Sequence, residues 1–188
     1  MRVAADAHAS QFRKGTVIPY FTHLAGTAII LARGGFCDEE LLAAAFLHDS
    51  LEDTELTDGE IKREFGKRVA SLVRDASEVK RDAHGQTLPW KTRKSEHLSR
   101  LASCSVESRA IVLADKLHNL GTLIDDLKTD PGAWTRFNAS PADTIGYYEA
   151  MFRLADDEPS LQSFAASGSE MLSALRTHPP CGPENREH

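Results

Sequence analysis

Between Phe46 and Thr54 the chain reads Phe-Leu-His-Asp-Ser-Leu-Glu-Asp-Thr, so an imidazole and three carboxylates follow directly on an apolar run that begins at Leu41. Charge that dense needs a cation or water beside it. If residues 41–52 are helical, as Leu41, Leu42, Ala43, Ala44, Ala45, Phe46 and Leu47 suggest, His48 and Glu52 stand one turn apart, as do Asp49 and Asp53. The end of a helix carries partial negative charge, so carboxylates gathered there call for an external cation, most simply a divalent metal. A solvated acidic helix end is the plain alternative. A histidine and three acids issuing from an Ala/Leu core face favour the metal.

A chain of 188 residues with 41% hydrophobic and 27% charged side chains can bury one substantial core, so one domain is expected. The net charge of −6 disfavours a nucleic-acid partner, because counterion-driven binding needs a basic surface. An anionic ligand must then be held by local cations or by metal. Cys37, Cys104 and Cys181 are odd in number and lack Cys-x-x-Cys spacing, which points away from disulfides and thiolate zinc and toward a reducing, cytoplasmic setting. No apolar run approaches the roughly 20 residues that span a bilayer, and the first residues show no apolar signal core, so no membrane partner is expected. Nothing in the pattern specifies an oligomeric state.

Helical periodicity dominates and strand-like alternation is scarce, which predicts an all-α bundle. Amphipathic segments cover residues 4–13, closed by Lys14-Gly15, and 22–33, closed by Gly34-Gly35 as a left-handed cap. Asp38 caps the helix leading into His48; Thr57 and Glu60 have capping-box spacing and open a short helix ending at Phe65-Gly66, with another over residues 67–79. Residues 80–89 are polar and aperiodic, hence a loop. Helices follow over residues 90–103, 105–127, 140–155, with Ser140 as cap and Pro141 in the first turn, and 158–175. The domain is expected to occupy residues 1–176, with the Pro-rich, polar residues 177–188 as a disordered tail.

Two further features carry chemistry. Asp115 interrupts the apolar helical run Ile111-Val112-Leu113-Ala114, with Asn119 one turn on. A carboxylate entering a core must be compensated; Lys116 is adjacent, but helix neighbours do not face each other, so ligation is favoured. His23 opens a helix after Pro19-Tyr20-Phe21-Thr22. Alone it reads as a partly buried histidine, and it gains meaning beside His48, Asp49 and Asp115. Phosphate-binding loops and nucleophile elbows are absent, and Cys104 reads as a packed helix cysteine.

Together these segments resemble the HD-domain metal phosphohydrolases, all-helical domains named for a His-Asp pair, whose pattern is met by His23, His48-Asp49 and Asp115. Further matches lie at Ala7-His8-Ala9-Ser10-Gln11-Phe12-Arg13-Lys14-Gly15, Pro19-Tyr20, Glu52-Asp53-Thr54, Phe65-Gly66 and Ala114-Asp115-Lys116-Leu117-His118-Asn119. They narrow the resemblance to the hydrolase domain of RelA/SpoT-type alarmone enzymes, from about residue 4 to about residue 148. The chain's size matches the stand-alone small alarmone hydrolases. The resemblance implies a single HD-domain bundle with a central metal site that hydrolyses the 3′-diphosphate of guanosine tetra- or pentaphosphate, (p)ppGpp, to GDP or GTP and pyrophosphate. It further implies His23, His48, Asp49 and Asp115 as metal ligands and Glu52 and Asp53 as the catalytic acids. Arg13 would stack on the base and Lys14 face the phosphates, with Asn119 and Tyr147 as further substrate contacts. One departure is Leu24, where the family often has proline.

The residue chemistry fits independently. Imidazole and carboxylate ligands without thiolate suit Mn²⁺, Fe²⁺ or Zn²⁺, and a phosphate substrate tilts the choice toward Mn²⁺. Glu52 or Asp53 can accept a proton from water, and Lys14, Lys80-Arg81, Lys91, Arg93 and Lys94 are candidate phosphate cations. His8, His84, His97, His118 and His178 have no assigned role. Alternatives are the same fold acting on an adenosine alarmone or on the 2′-phosphate of NADPH, and a non-catalytic nucleotide sensor.

Overall fold

The computed structural model describes residues 1–177, and the regular elements among them are all helical. In order they are α1 (Arg2–Ala7), α2 (Phe21–Arg33), α3 (Glu39–Leu47), α4 (Ser50–Asp53), α5 (Asp58–Ala76), α6 (Trp90–Leu101), α7 (Val106–Thr129), α8 (Pro141–Phe152) and α9 (Gln162–Arg176). Short 3₁₀ turns occupy Pro131–Arg136, Arg153–Ala155 and Pro159–Leu161. The tail expected at residues 177–188 lies, apart from Thr177, outside the described residues. Among those residues no helix is long and apolar enough to cross a membrane.

Four of the nine α-helices among the described residues start on a side-chain cap, three of them at the expected Asp38, Thr57 and Ser140. Asp38 accepts from Leu41 N at 3.0 Å, Thr57 and Glu60 form a complete capping box, and Ser105 and Ser140 accept from Ser108 N and Asp143 N. α7 is the axis of the bundle: Ile111 to Asp115 are buried without a break, so the helix is enclosed on every side at that level. α2, α3, α5, α8 and α9 pack around it. Anything carried by the middle of α7 therefore lies in the protein's centre.

Two expectations are corrected. The first helix stops at Ala7 instead of reaching Arg13, because the chain turns back on itself: Arg13 N donates to Ile18 O at 2.8 Å, Tyr20 N to Gln11 O at 2.9 Å, and Gly15 takes φ +74° at the tip. The helix expected over residues 41–52 is broken, α3 ending at Leu47 and α4 starting at Ser50, with His48 and Asp49 in the turn between them. The break expected at Phe65-Gly66 is present: Gly66 takes φ +91° and ψ 171°, so α5 consists of two helical stretches that meet there at a kink, the second running to Ala76.

The loop at residues 80–89 is pinned by a bridge between Arg81 and Thr87 and by Leu88 N donating to Lys80 O at 3.1 Å. At the far end of the bundle, α8 and α9 touch so closely that a Cβ on Gly168 would sit 2.6 Å from three ring carbons of the buried Phe152. Gly168→Ala gains up to about 1 kcal/mol of helix propensity but overpacks this contact by about 1–3 kcal/mol. A net loss of stability, seen as a Tm lower by several degrees in thermal unfolding, is expected; an unchanged Tm would mean the ring turns aside freely.

Candidate active site

Three elements deliver four side chains to one point. His23 comes from the first turn of α2, His48 and Asp49 from the turn between α3 and α4, and Asp115 from the middle of α7. His23 Nε2 lies 3.1 Å from Asp115 Oδ1 and 3.4 Å from Asp49 Oδ2, and His48 Nε2 lies 3.1 Å from Asp49 Oδ2 and 3.8 Å from Asp115 Oδ1. His48 and Asp49 sit in the break after Leu47, and both side chains reach the same point from it. One ligand atom each from His23, His48 and Asp115, all buried, falls within 4.8 Å of the others.

The donor set fits a divalent cation. His48 Nε2 is buried and has no aligned hydrogen-bond partner, although a carboxylate oxygen is near it. The ligand atoms of His23, His48 and Asp115 thus lie close enough together to share one cation, with Asp49 Oδ2 beside them. Hydrogen bonds hold these groups in place: His48 Nδ1 is 2.7 Å from Ala45 O, while Tyr20 OH donates at 2.7 Å to Asp49 Oδ2 and Asn119 Nδ2 at 2.5 Å to Asp115 Oδ1, the same carboxylate oxygens that face the histidines. Burial alone would raise the Asp49 carboxyl, but the His48 and His23 imidazoles outweigh it and hold Asp49 well below the usual carboxylate range. Both aspartates are therefore charged at neutral pH, as ligands must be.

Beside this point stand Glu52 and Asp53. Glu52 accepts from Glu78 N at 2.7 Å, and Lys80 reaches from its loop to both acids, 3.1 Å from Glu52 Oε2 and 2.6 Å from Asp53 Oδ1. Burial, then the charge of Asp49, raises the Glu52 carboxyl above its ordinary value against the pull of Lys80. Gln11 fixes the same turn from the other side by donating to Asp53 O at 2.5 Å.

Next to the cluster opens a cleft of about 410 Å³, lined in part by Phe12, Arg13, Lys14, Tyr20, Trp90, Arg93, Asn119, Phe137 and Asn138. Tyr20 and Asn119 belong to both, since they bond Asp49 and Asp115. Arg13 donates to Asn119 Oδ1 at 2.6 Å and lies 5.6 Å from the centre of the Tyr20 ring, while Lys14 donates to Asn138 Oδ1 at 3.2 Å. Arg13, Lys14 and Asn119 are thus brought together. Tyr147 is not: it is buried outside this lining, its hydroxyl 3.5 Å from His97 Nδ1 and its ring 4.6 Å from Lys94 Nζ.

A sequence model of the family described as the HD domain matches residues 1–134. The chain belongs to the HD-domain family. Two similar relatives share one activity in their names. The guanosine-3′,5′-bis(diphosphate) 3′-pyrophosphohydrolase MESH1 of Xenopus tropicalis is 37% identical over 134 residues, which are 70% of each chain. The guanosine-3′,5′-bis(diphosphate) 3′-pyrophosphohydrolase of Aquifex aeolicus is 37% identical over 123 residues, 64% of this chain but 16% of that longer one. Among solved structures, one described as a metazoan ortholog of SpoT that hydrolyses ppGpp superposes with a TM-score of 0.68 at 28% identity, covering 94% of this chain and 91% of the other.

Within this HD domain the structure also places residues to which sequence reasoning gave no role. Tyr20, quoted only as part of a motif, bonds Asp49 and stacks on His8 at 5.1 Å. Lys80, one of several candidate phosphate cations, instead bridges the acidic pair; Lys94 pairs with Glu78, and exposed Lys91 with Asp143. Lys116, set aside because helix neighbours diverge, folds its long stem back to reach Asp115 Oδ2 at 2.6 Å. Asp115 thus offers one oxygen to the lysine and the other to the histidines.

Proposed function

We propose that this HD domain, residues 1–176 acting as one unit, hydrolyses the 3′-diphosphate of (p)ppGpp to GDP or GTP and pyrophosphate, with Mn²⁺ held by His23, His48, Asp49 and Asp115. The observation that carries the reading is the adjacency of the buried His/Asp cluster, the acidic pair and a cleft lined by Arg13, Lys14 and aromatic rings. A bound divalent ion would acidify water and offset phosphoryl charge. In this reading Glu52 accepts the proton of the attacking water, and its raised basicity suits it to that task. Asp53 shares Lys80 with Glu52 and sets the position of that lysine. Arg13, held edge-on by Asn119, offers the flat face of its guanidinium to a purine, and Lys14 meets phosphate oxygens at the cleft wall. Tyr147, buried with its ring beside Lys94 and Lys116, makes no direct substrate contact in this reading.

The test is a nucleotide panel with the Mn²⁺-loaded chain, comparing ppGpp, its adenosine counterpart and NADPH and following pyrophosphate against phosphate. Pyrophosphate from ppGpp at the highest kcat/KM is expected. Arg13→Ala should raise KM for ppGpp by about tenfold with a smaller change in kcat, the loss of about 1.4 kcal/mol of stacking shared by ground and transition states. Intact ppGpp beside hydrolysed NADPH would reassign the substrate, and tight ppGpp binding with no product would make the chain a sensor.

A further inference from the structure

The proposed reaction leaves one buried-side imidazole of the site without a part. His118 lies one turn beyond Asp115 on α7, and its Nδ1 is 2.9 Å from Nδ1 of His23, the two rings meeting edge to face with centroids 4.8 Å apart. Two ring nitrogens at that distance share one proton, so one donates and the other offers its lone pair. His23 Nε2 is the atom turned toward Asp115 and Asp49. To ligate a cation it must carry a lone pair, which places the His23 proton on Nδ1 and makes His118 Nδ1 the acceptor. The opposite arrangement, with His118 donating, leaves His23 protonated at Nε2 and closed to a cation.

His48 solves the same problem with a backbone acceptor, Ala45 O at 2.7 Å. His23 relies on a side chain, and that side chain needs space. Gly26, on the turn of α2 after His23, supplies it: a Cβ there would overlap Cδ2 and Nε2 of the His118 ring.

We propose that His118 is a positioning residue, which holds His23 in the tautomer and orientation that present Nε2 to the metal, and that the bare Cα of Gly26 is what admits it. This rests on the metal reading given above. The experiment is calorimetric titration of Mn²⁺ and Co²⁺ into the wild-type chain, His118→Phe, His118→Asn, Gly26→Ala, His118→Ala and the double variant of Gly26→Ala with His118→Ala, with thermal unfolding of each apo chain alongside. His118→Phe should weaken metal binding about 10–100-fold, and His118→Asn, whose amide oxygen can take the place of Nδ1, should recover most of it. Gly26→Ala should weaken binding to a similar extent through the displaced ring, yet add nothing in the His118→Ala background, so the contact is tested without altering the imidazole even if His118→Phe folds poorly. Wild-type affinity in His118→Phe, or an equal Gly26→Ala loss in both backgrounds, overturns the positioning role alone. A wild-type chain that takes up neither ion overturns the metal reading and this role with it.

Discussion

Replacing Glu52 by Gln is expected to lower kcat by about 10²–10⁴-fold, the range for a lost general base, while Mn²⁺ affinity and Tm stay near wild type. The side chain is 13% exposed and anchored by Glu78 N and Lys80, so the neutral isostere keeps its place and loses only the ability to accept a proton. The pH dependence reports on the same carboxyl. Glu52 is raised by burial and by Asp49, and Lys80 and the Glu78 N–H pull against that rise. A raised carboxyl stays protonated to higher pH, so activity falls away as the pH drops through a point above the ordinary glutamate value. Removing an opposing cation must raise it further: Lys80→Met should shift the acidic limb of the kcat profile to higher pH. Substantial turnover in Glu52→Gln together with a collapse of kcat in Asp53→Asn would assign the proton to Asp53, because Lys80 touches both acids and its removal acts on either.

What the sequence made legible here was chemistry carried by pattern. Asp115 stood out because it broke an apolar run at a position where a helix is buried all round, and the structure puts it at the centre of the bundle. The caps at Asp38, Thr57 and Ser140 were readable because a cap is a local bond between residues three apart. The turn at His48-Asp49 was not, because Asp49 keeps nearly helical angles, φ −93° and ψ −3°, and the apolar periodicity runs through it unchanged. What surrounds that turn is long-range: Tyr20 OH on Asp49, and Ser77 Oγ 3.4 Å from His48 O. The first helix was overread for a related reason, since Phe12 fits an amphipathic pattern yet is 55% exposed at the cleft rim. Lys80 and Lys116 show a different limit. A lysine's reach is set by four flexible methylenes rather than by helix phase, so neither periodicity nor adjacency says which carboxylate it finds.

Asp115→Asn is expected to have the largest effect on the fold as well as on the metal. Asp115 and Lys116 are 9% and 13% exposed and only 2.6 Å apart. Burial by itself would lower the Lys116 ammonium, and Asp115 more than reverses this, holding it well above its ordinary value. An amide at 115 leaves that ammonium buried beside the Tyr147 ring without the carboxylate on which it depends, and breaking such a pair from one side costs about 3–5 kcal/mol. The apo protein should therefore melt roughly 10 °C lower, taking about 2–4 °C per kcal/mol for a chain of this size. The metal response should fail separately. Mn²⁺ at about 100 times Kd should stabilise the wild type by about 2.7 kcal/mol and Asp115→Asn by little or nothing, because one of the ligands that converge on His23 and His48 is gone. The two losses can be split. Adding Lys116→Met to Asp115→Asn removes the stranded charge and replaces the pair by apolar and neutral groups, which is tolerated far better than half a pair. The double variant should regain most of the apo Tm and still show no Mn²⁺ shift. If instead it remains as unstable as the single variant, the cost lies in lost contacts of Asp115 with His23 and Asn119 and not in the lysine; if it regains the Mn²⁺ shift, Asp115 is not a ligand.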